Sequence, residues 1–157
     1  MPDSDASTTT TTPADAVIER TVTATPSEVW ALWTDPDQFR EWYGPPGATI
    51  RTARIDPKAG GERVVEMTVT TPGGERTMWF RGEHVEVDEP RLLVYTEAIT
   101  DPDGVPQSAD TTVRVELDAV DDSHTRVRVT HLGIPADSPG ATGWAMALTK
   151  LEELVAA

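Results

Sequence analysis

The stretch Val22–Trp33, VTATPSEVWALW, closes a strand and opens a helix within a few residues, and the rest of the chain is read outward from it. Residues 17–24 are rich in Val, Ile and Thr, the composition of a strand. Thr25 stands at a capping position, Pro26 at the first helical position, and Glu28 three residues after the cap. That is the reciprocal pattern that satisfies the free N–H groups at a helix start. Val29, Leu32 and Trp33 follow at helical spacing on one face. The pattern repeats at Asp35-Pro36-Asp37-Gln38, which leads to Phe39, Trp42 and Tyr43. Gly44 stops this second helix, and Pro45-Pro46 prevent its continuation. One strand and two short tandem helices are therefore predicted.

Downstream, residues 48–134 read as strands and turns, with strands predicted at 48–56, 62–70, 75–87, 91–99, 110–119 and 124–132. The turn signals are Pro57-Lys58-Ala59-Gly60-Gly61, Pro72-Gly73-Gly74, Asp88-Glu89-Pro90, Asp101-Pro102-Asp103-Gly104 and Asp121-Asp122-Ser123. Connections this short imply antiparallel hairpins in a meander. Setting Thr70 opposite Glu75 places Met67 opposite Met78 and Val65 opposite Phe80 on one mainly apolar face. Glu66 opposite Trp79 and Thr68 opposite Thr77 then share the other, more polar face. In the last two strands Val113, Val115 and Leu117, then Val127, Val129 and His131, alternate with polar residues.

The chain ends in a long helix. Ser138-Pro139 supplies a cap and a first-turn proline, and Trp144, Leu148, Leu151 and Val155 form one apolar stripe. One helix stripe covering one sheet face is an α+β arrangement in two layers. Ahead of it all, residues 1–16 include the run Thr8–Thr12 and little that is apolar, so a disordered acidic, Thr-rich tail is expected before a single domain over 17–157.

Composition narrows the chemistry. The 157 residues carry 13 Lys+Arg against 27 Asp+Glu, a net charge of −14. An acidic surface repels phosphate backbones and anionic lipid, so neither nucleic acid nor membrane is expected as a partner. With no cysteine, disulfides, thiolate metal sites and a cysteine nucleophile are excluded. Neither a basic-then-apolar leader nor an apolar run near the ~20 residues that span a bilayer is seen, so a cytoplasmic protein is expected. Lys58 and Lys150 are the only lysines. That bias fits a salty cytoplasm, where a Debye length of about 3 Å at 1 M quiets self-repulsion, and it fits a high-GC genome equally.

The order of these elements, with VTATPSEVWALW at Val22–Trp33, DPDQFREWYG at Asp35–Gly44 and DPKAGG at Asp56–Gly61, resembles the START-like SRPBCC superfamily, the birch-pollen-allergen or helix-grip fold. Arg81-Gly82, Glu89-Pro90-Arg91-Leu92 and Gly143-Trp144 extend the likeness to the family named after the activator of the heat-shock protein 90 ATPase. The resemblance covers most of residues 18–155. It implies a curved antiparallel sheet of about seven strands wrapped on the last helix, with a cavity between them for a small apolar or amphipathic molecule. Mapped onto this sequence, the lining would be Trp144, Leu148 and Leu151 from the helix and Val65, Met67, Met78, Phe80, Val129 and His131 from the sheet. Trp33, Phe39 and Trp42 would frame one end. The alternative use of the same residues is to fill a closed core.

Catalytic signals are sparse. His84, His124 and His131 are the only histidines, and none is spaced as a local metal pair, so no metal and no cofactor are expected. His131 shares the inward parity of Val127 and Val129 and is the one candidate acid–base group; its other reading is a histidine satisfied by a neighbouring hydroxyl. A bulge at Gly82 would change which way His84 points. Glu66, Glu83 and Glu97 are expected to pair with Arg63 or Arg81 on the outer face, unless one faces the cavity. The two Gly-Gly-Glu-Arg stretches at Gly60–Arg63 and Gly73–Arg76 precede strands, so they are hairpin turns and not phosphate loops. Three functions follow in order: binding of a small hydrophobic ligand, chaperone-linked protein binding, and cyclase/aromatase-type or hydrolytic catalysis in the same cavity. A monomer or a homodimer is expected, the dimer resting on exposed apolar residues near Trp42, Tyr43 and Pro45.

Overall fold

The computed structural model describes residues 15–156. Strand β1 (Asp15–Val22) leads through a capped turn to helix α1 (Pro26–Thr34) and the single-turn α2 (Pro36–Phe39). Six strands follow: β2 (Thr49–Ile55), β3 (Glu62–Thr71), β4 (Gly74–Asp88), β5 (Leu92–Thr100), β6 (Thr111–Asp121) and β7 (His124–Leu132). Helix α3 (Pro139–Ala156) ends the described chain. The strands form one antiparallel sheet in the order β1-β7-β6-β5-β4-β3-β2, which is the helix-grip arrangement.

Local chemistry accounts for the joints. At α1 the Thr25 hydroxyl accepts from the Glu28 N–H while the Glu28 carboxylate accepts from the Thr25 N–H, so two of the free donors of the helix start are satisfied. At α3 the Ser138 hydroxyl accepts from the Ala141 N–H, 3.3 Å away. The β3–β4 hairpin has the register read from sequence, with Met67 opposite Met78 and Val65 opposite Phe80.

Strand ends shift by a residue or two from the sequence reading, and three of the differences have a visible cause. Asp15 and Ala16, expected in the tail, are strand residues: Ala16 is buried opposite His131, and the Asp15 carboxylate accepts from the Gly133 N–H. The rest of the expected tail, residues 1–14, lies outside the described residues. Correspondingly, β1 stops at Val22, because Ala24 has already left the ladder to receive the Thr125 hydroxyl at 2.7 Å. Helix α2 is a single turn, and Trp42 and Tyr43 follow it in an irregular turn closed by Gly44, whose φ of +84° suits glycine.

The apolar face of the sheet, α1, α2 and the second half of α3 enclose the core. Trp33, Phe39, Trp42 and Trp144 pack at its centre, Trp33 and Trp42 with ring centroids 4.5 Å apart. The indole N–H of Trp42 donates to the Leu32 carbonyl at 2.8 Å, which meets the polar requirement of a fully buried Trp. Trp42 and Tyr43 are thus buried and Pro45 is half-buried, so the exposed patch on which a dimer was expected is not present.

Candidate functional site

Helix α3 packs against the core with only part of its length. Leu148 and Leu151 sit fully buried against the core, whereas one to two turns earlier the helix presents Gly140, Gly143 and Ala147. Small residues there leave space, and a cavity of about 670 Å³ opens between this end of the helix and the sheet. A Cβ added at Gly143 would meet nothing within 4 Å. Met67 and Val69 of β3, Met78 and Phe80 of β4, and Glu97 and Ile99 of β5 form the floor. Tyr43, Gly44 and Pro45 close one side, and Gly133 and Ile134 contribute to the wall near the start of α3. Every methionine among the described residues (Met67, Met78 and Met146) is part of the lining. Thioether side chains are flexible and polarizable, which suits a wall that must fit itself to an irregular apolar guest.

Of the residues expected in the lining, Met67, Met78, Phe80, His131 and Trp144 are there. Trp33, Phe39, Trp42, Val65, Val129, Leu148 and Leu151 are instead packed in the core behind it. Alternation decides which face a residue takes. Position along the strand or helix decides whether that face meets core or open space, and alternation carries no information about that.

His131 sits at the boundary of the two zones. Trp144 Nε1 lies 2.9 Å from His131 Nδ1, and an indole N–H can only donate, so Nδ1 is the unprotonated nitrogen. The proton is therefore on Nε2, 2.7 Å from Thr111 Oγ1, and that hydroxyl in turn donates to the Glu97 carbonyl at 3.0 Å. The relay Trp144–His131–Thr111–Glu97 ties α3 to β7, β6 and β5. Burial holds the His131 pKa below its ordinary value, partly offset by the nearby Glu97. Both ring nitrogens are engaged, so the imidazole fixes Trp144 rather than presenting a free base to the cavity.

Beneath this relay lies the feature the sequence reading placed outside. Arg63 of β3 and Glu97 of β5 form an ion pair at 2.9 Å with side chains only 2% and 7% exposed. The guanidinium stacks over the Tyr95 ring at 4.0 Å and also faces Phe39 at 5.3 Å. Burial works against its charge, but Tyr95, Glu97 and Tyr43 more than offset that and raise its pKa. The tyrosines respond in kind: burial raises both phenols, Tyr43 well above its usual value and Tyr95 to about 12. Strand β4 runs between the two charged residues, and at the crossing it has Gly82, paired with Arg63. A Cβ there would stand 1.8 Å from the Thr96 carbonyl oxygen, so only glycine lets β5 approach this closely.

The other two histidines are away from the cavity lining. His84 keeps the inward parity of Phe80, because the bulge falls after it, between His84 and Glu86, and not at Gly82. It is buried edge-on to Tyr95 with Nδ1 3.2 Å from the Gly61 carbonyl, and burial lowers its pKa. His124 sits on the β6–β7 turn with Nδ1 2.8 Å from the Asp121 carboxylate. On the outer face Arg81 lies over Trp79 at 5.1 Å. Lys150, which the sequence marks only as one of two lysines, donates from its ammonium to the carbonyls of Tyr43, Gly44 and Pro45 at 3.2–3.4 Å. Those three carbonyls end the segment that forms one cavity wall, so Lys150 fastens the wall to α3. No helix among the described residues is long and apolar enough to cross a membrane.

Comparison with known proteins agrees with this architecture. The family model described as activator of Hsp90 ATPase homolog 1-like protein matches residues 23–156. Among solved structures, a protein from Mycobacterium smegmatis is 22% identical with a TM-score of 0.77, over 90% of each chain. One from Chromobacterium violaceum is 23% identical with a TM-score of 0.77, over 91% of this chain and 98% of that one. An AHSA1 protein from Silicibacter pomeroyi is 21% identical with a TM-score of 0.76, over 90% of this chain and 97% of that one. At such identities the likeness is one of fold. A search of curated proteins finds no match.

Proposed function

This chain belongs to the activator of Hsp90 ATPase homolog 1-like family, and from that premise we propose that it binds one small, mainly apolar molecule in the cavity under the first half of α3, as a carrier or sensor in the cytoplasm. The observation that supports this reading is the cavity itself. Its volume of about 670 Å³ falls within the range of small-molecule sites. Its wall is built from three methionines, Phe80, Ile99 and Trp144, with a few polar groups converging on one region. A core that merely failed to close would be filled by a larger residue at Gly143, where a Cβ meets nothing within 4 Å; glycine in a helix interior costs about 1 kcal/mol against alanine.

Native mass spectrometry of the protein purified at low and at molar salt tests this, followed by extraction of whatever is bound. The expected result is a stoichiometric adduct that is absent from Gly143→Phe, a variant that fills the cavity from its open side. A clean apo mass in both salts contradicts it. The chaperone reading rests on the family description and would use the outer sheet face around Trp79 and Arg81, so Trp79→Ala would then abolish binding while Gly143→Phe would not. For catalysis, the engaged nitrogens of His131 favour a positioning role for that residue.

A further inference from the structure

The polar groups of the cavity are not equally available. The Trp144 N–H is committed to His131, the His131 Nε2–H to Thr111, and the Thr111 hydroxyl hydrogen to the Glu97 carbonyl. Ser108 accepts from the Ile99 N–H at 2.9 Å and donates to the Ala109 carbonyl at 3.2 Å. Glu97 is different. One carboxylate oxygen, Oε2, takes the Arg63 guanidinium; Oε1 has no hydrogen-bond donor among the described residues and, unlike Arg63 Nη2 and the Tyr95 hydroxyl, is not a sealed unpartnered atom, and Glu97 is part of the cavity wall. The Tyr43 phenol, also in the wall, is close enough for both Glu97 and Arg63 to act on it.

The geometry points to a ligand that carries one neutral hydroxyl, an alcohol or phenol on an otherwise apolar body, with its O–H donated to Glu97 Oε1. This rests on the binding reading above and names the class of molecule that reading leaves open. The reasoning is one of matching. A hydroxyl both donates and accepts, so it serves the Glu97 oxygen and can accept from Tyr43. A bare hydrocarbon would bury the Glu97 oxygen without a donor, which is costly for a charged group. A carboxylate would place a second anion against the first. An ammonium would bring a net charge into an apolar cavity where Glu97 is already neutralised by Arg63, with nothing left to repay its desolvation.

Titration of the full chain with four matched probes tests this: naphthalene, 2-naphthol, 2-naphthoate and 2-naphthylmethylammonium at pH 7. The expected order has 2-naphthol about tenfold or more tighter than naphthalene, the gain from a hydrogen bond to a charged acceptor, and both ions weaker than naphthalene. If 2-naphthol has no advantage over naphthalene, or either ion binds as tightly as 2-naphthol, the hydroxyl assignment is overturned while the cavity remains a binding site. If none of the four binds, the binding reading falls and this inference with it. The double variant Arg63→Met/Glu97→Leu removes both charges together and strands neither. It is expected to retain naphthalene and lose the 2-naphthol advantage; an advantage that survives there overturns the assignment. Should that variant fail to fold, the order measured on the unaltered chain still decides.

Discussion

The two halves of α3 face the same sheet and do opposite things. In the second half Leu148 and Leu151 are fully buried and the helix is locked to the core. In the first half Gly143 faces open space, and a cavity lies between this part of the helix and the sheet. One apolar stripe thus serves both purposes, and the switch between them is side-chain volume rather than polarity. Within the open half, Trp144 hands its N–H to His131 and ties this part of the helix to β7.

The largest test of that contrast lies beneath the open half. Glu97→Ala strands the Arg63 guanidinium with no carboxylate partner, and removing one partner of a buried pair typically costs about 3–5 kcal/mol. Chemical denaturation is expected to show a loss of that size; a loss under 1 kcal/mol would mean that water already reaches Arg63. In the packed half, Leu148→Ala is expected to cost about 2–5 kcal/mol, as truncation of a fully buried leucine does. Were that substitution no worse than a surface change, the distinction between the halves would be lost.

How much of this could be read from sequence differs between fold and site. The TPSE start of α1, the Pro72–Gly74 turn and the Trp144–Leu148–Leu151 stripe are local, and each carries its own physical signature, so the element order and the β3–β4 register follow from them. The ion pair did leave one signal: Arg63 has the parity of Val65 and Met67, the residues assigned to the inner face. Arg and Glu are seldom buried, so their charge points the opposite way from that parity. Its partner is 34 residues away on β5, across a strand that carries glycine at the crossing, and no local pattern records such a pairing. The extent of the cavity was hidden for a similar reason. Trp33, Phe39 and Trp42 have the composition of a binding wall but fill the core, and only their mutual packing at 4.5–5.5 Å separates the two uses.

Acid sharpens the boundary between the halves. His131 is held neutral, with a folded pKa below the ordinary 6.5, so the unfolded chain binds the proton more readily. Stability is therefore fully present above the unfolded value and is lost as pH falls from there through the folded pKa. Thermal melts are expected to drop between pH 7.5 and 5, with a smaller drop in His131→Gln; an equal drop in both would assign the loss to other groups, His84 first among them. The smallest effect belongs to the open half. Gly143→Ala adds a methyl into empty space and helix propensity besides, so it is expected to stabilise by up to about 1 kcal/mol. A destabilisation would show that the helix lies closer to the sheet than the cavity implies.

The central claim, that the first half of α3 covers a site and not a defect, is tested most directly by the methionines. With ¹³C-labelled methionine methyl groups, naphthalene titrated into the full chain is expected to shift the Met67, Met78 and Met146 signals together and saturably, and to leave them unmoved in Gly143→Phe. If those three signals stay still, or move as much in Gly143→Phe, the cavity does not admit a guest and the account is contradicted.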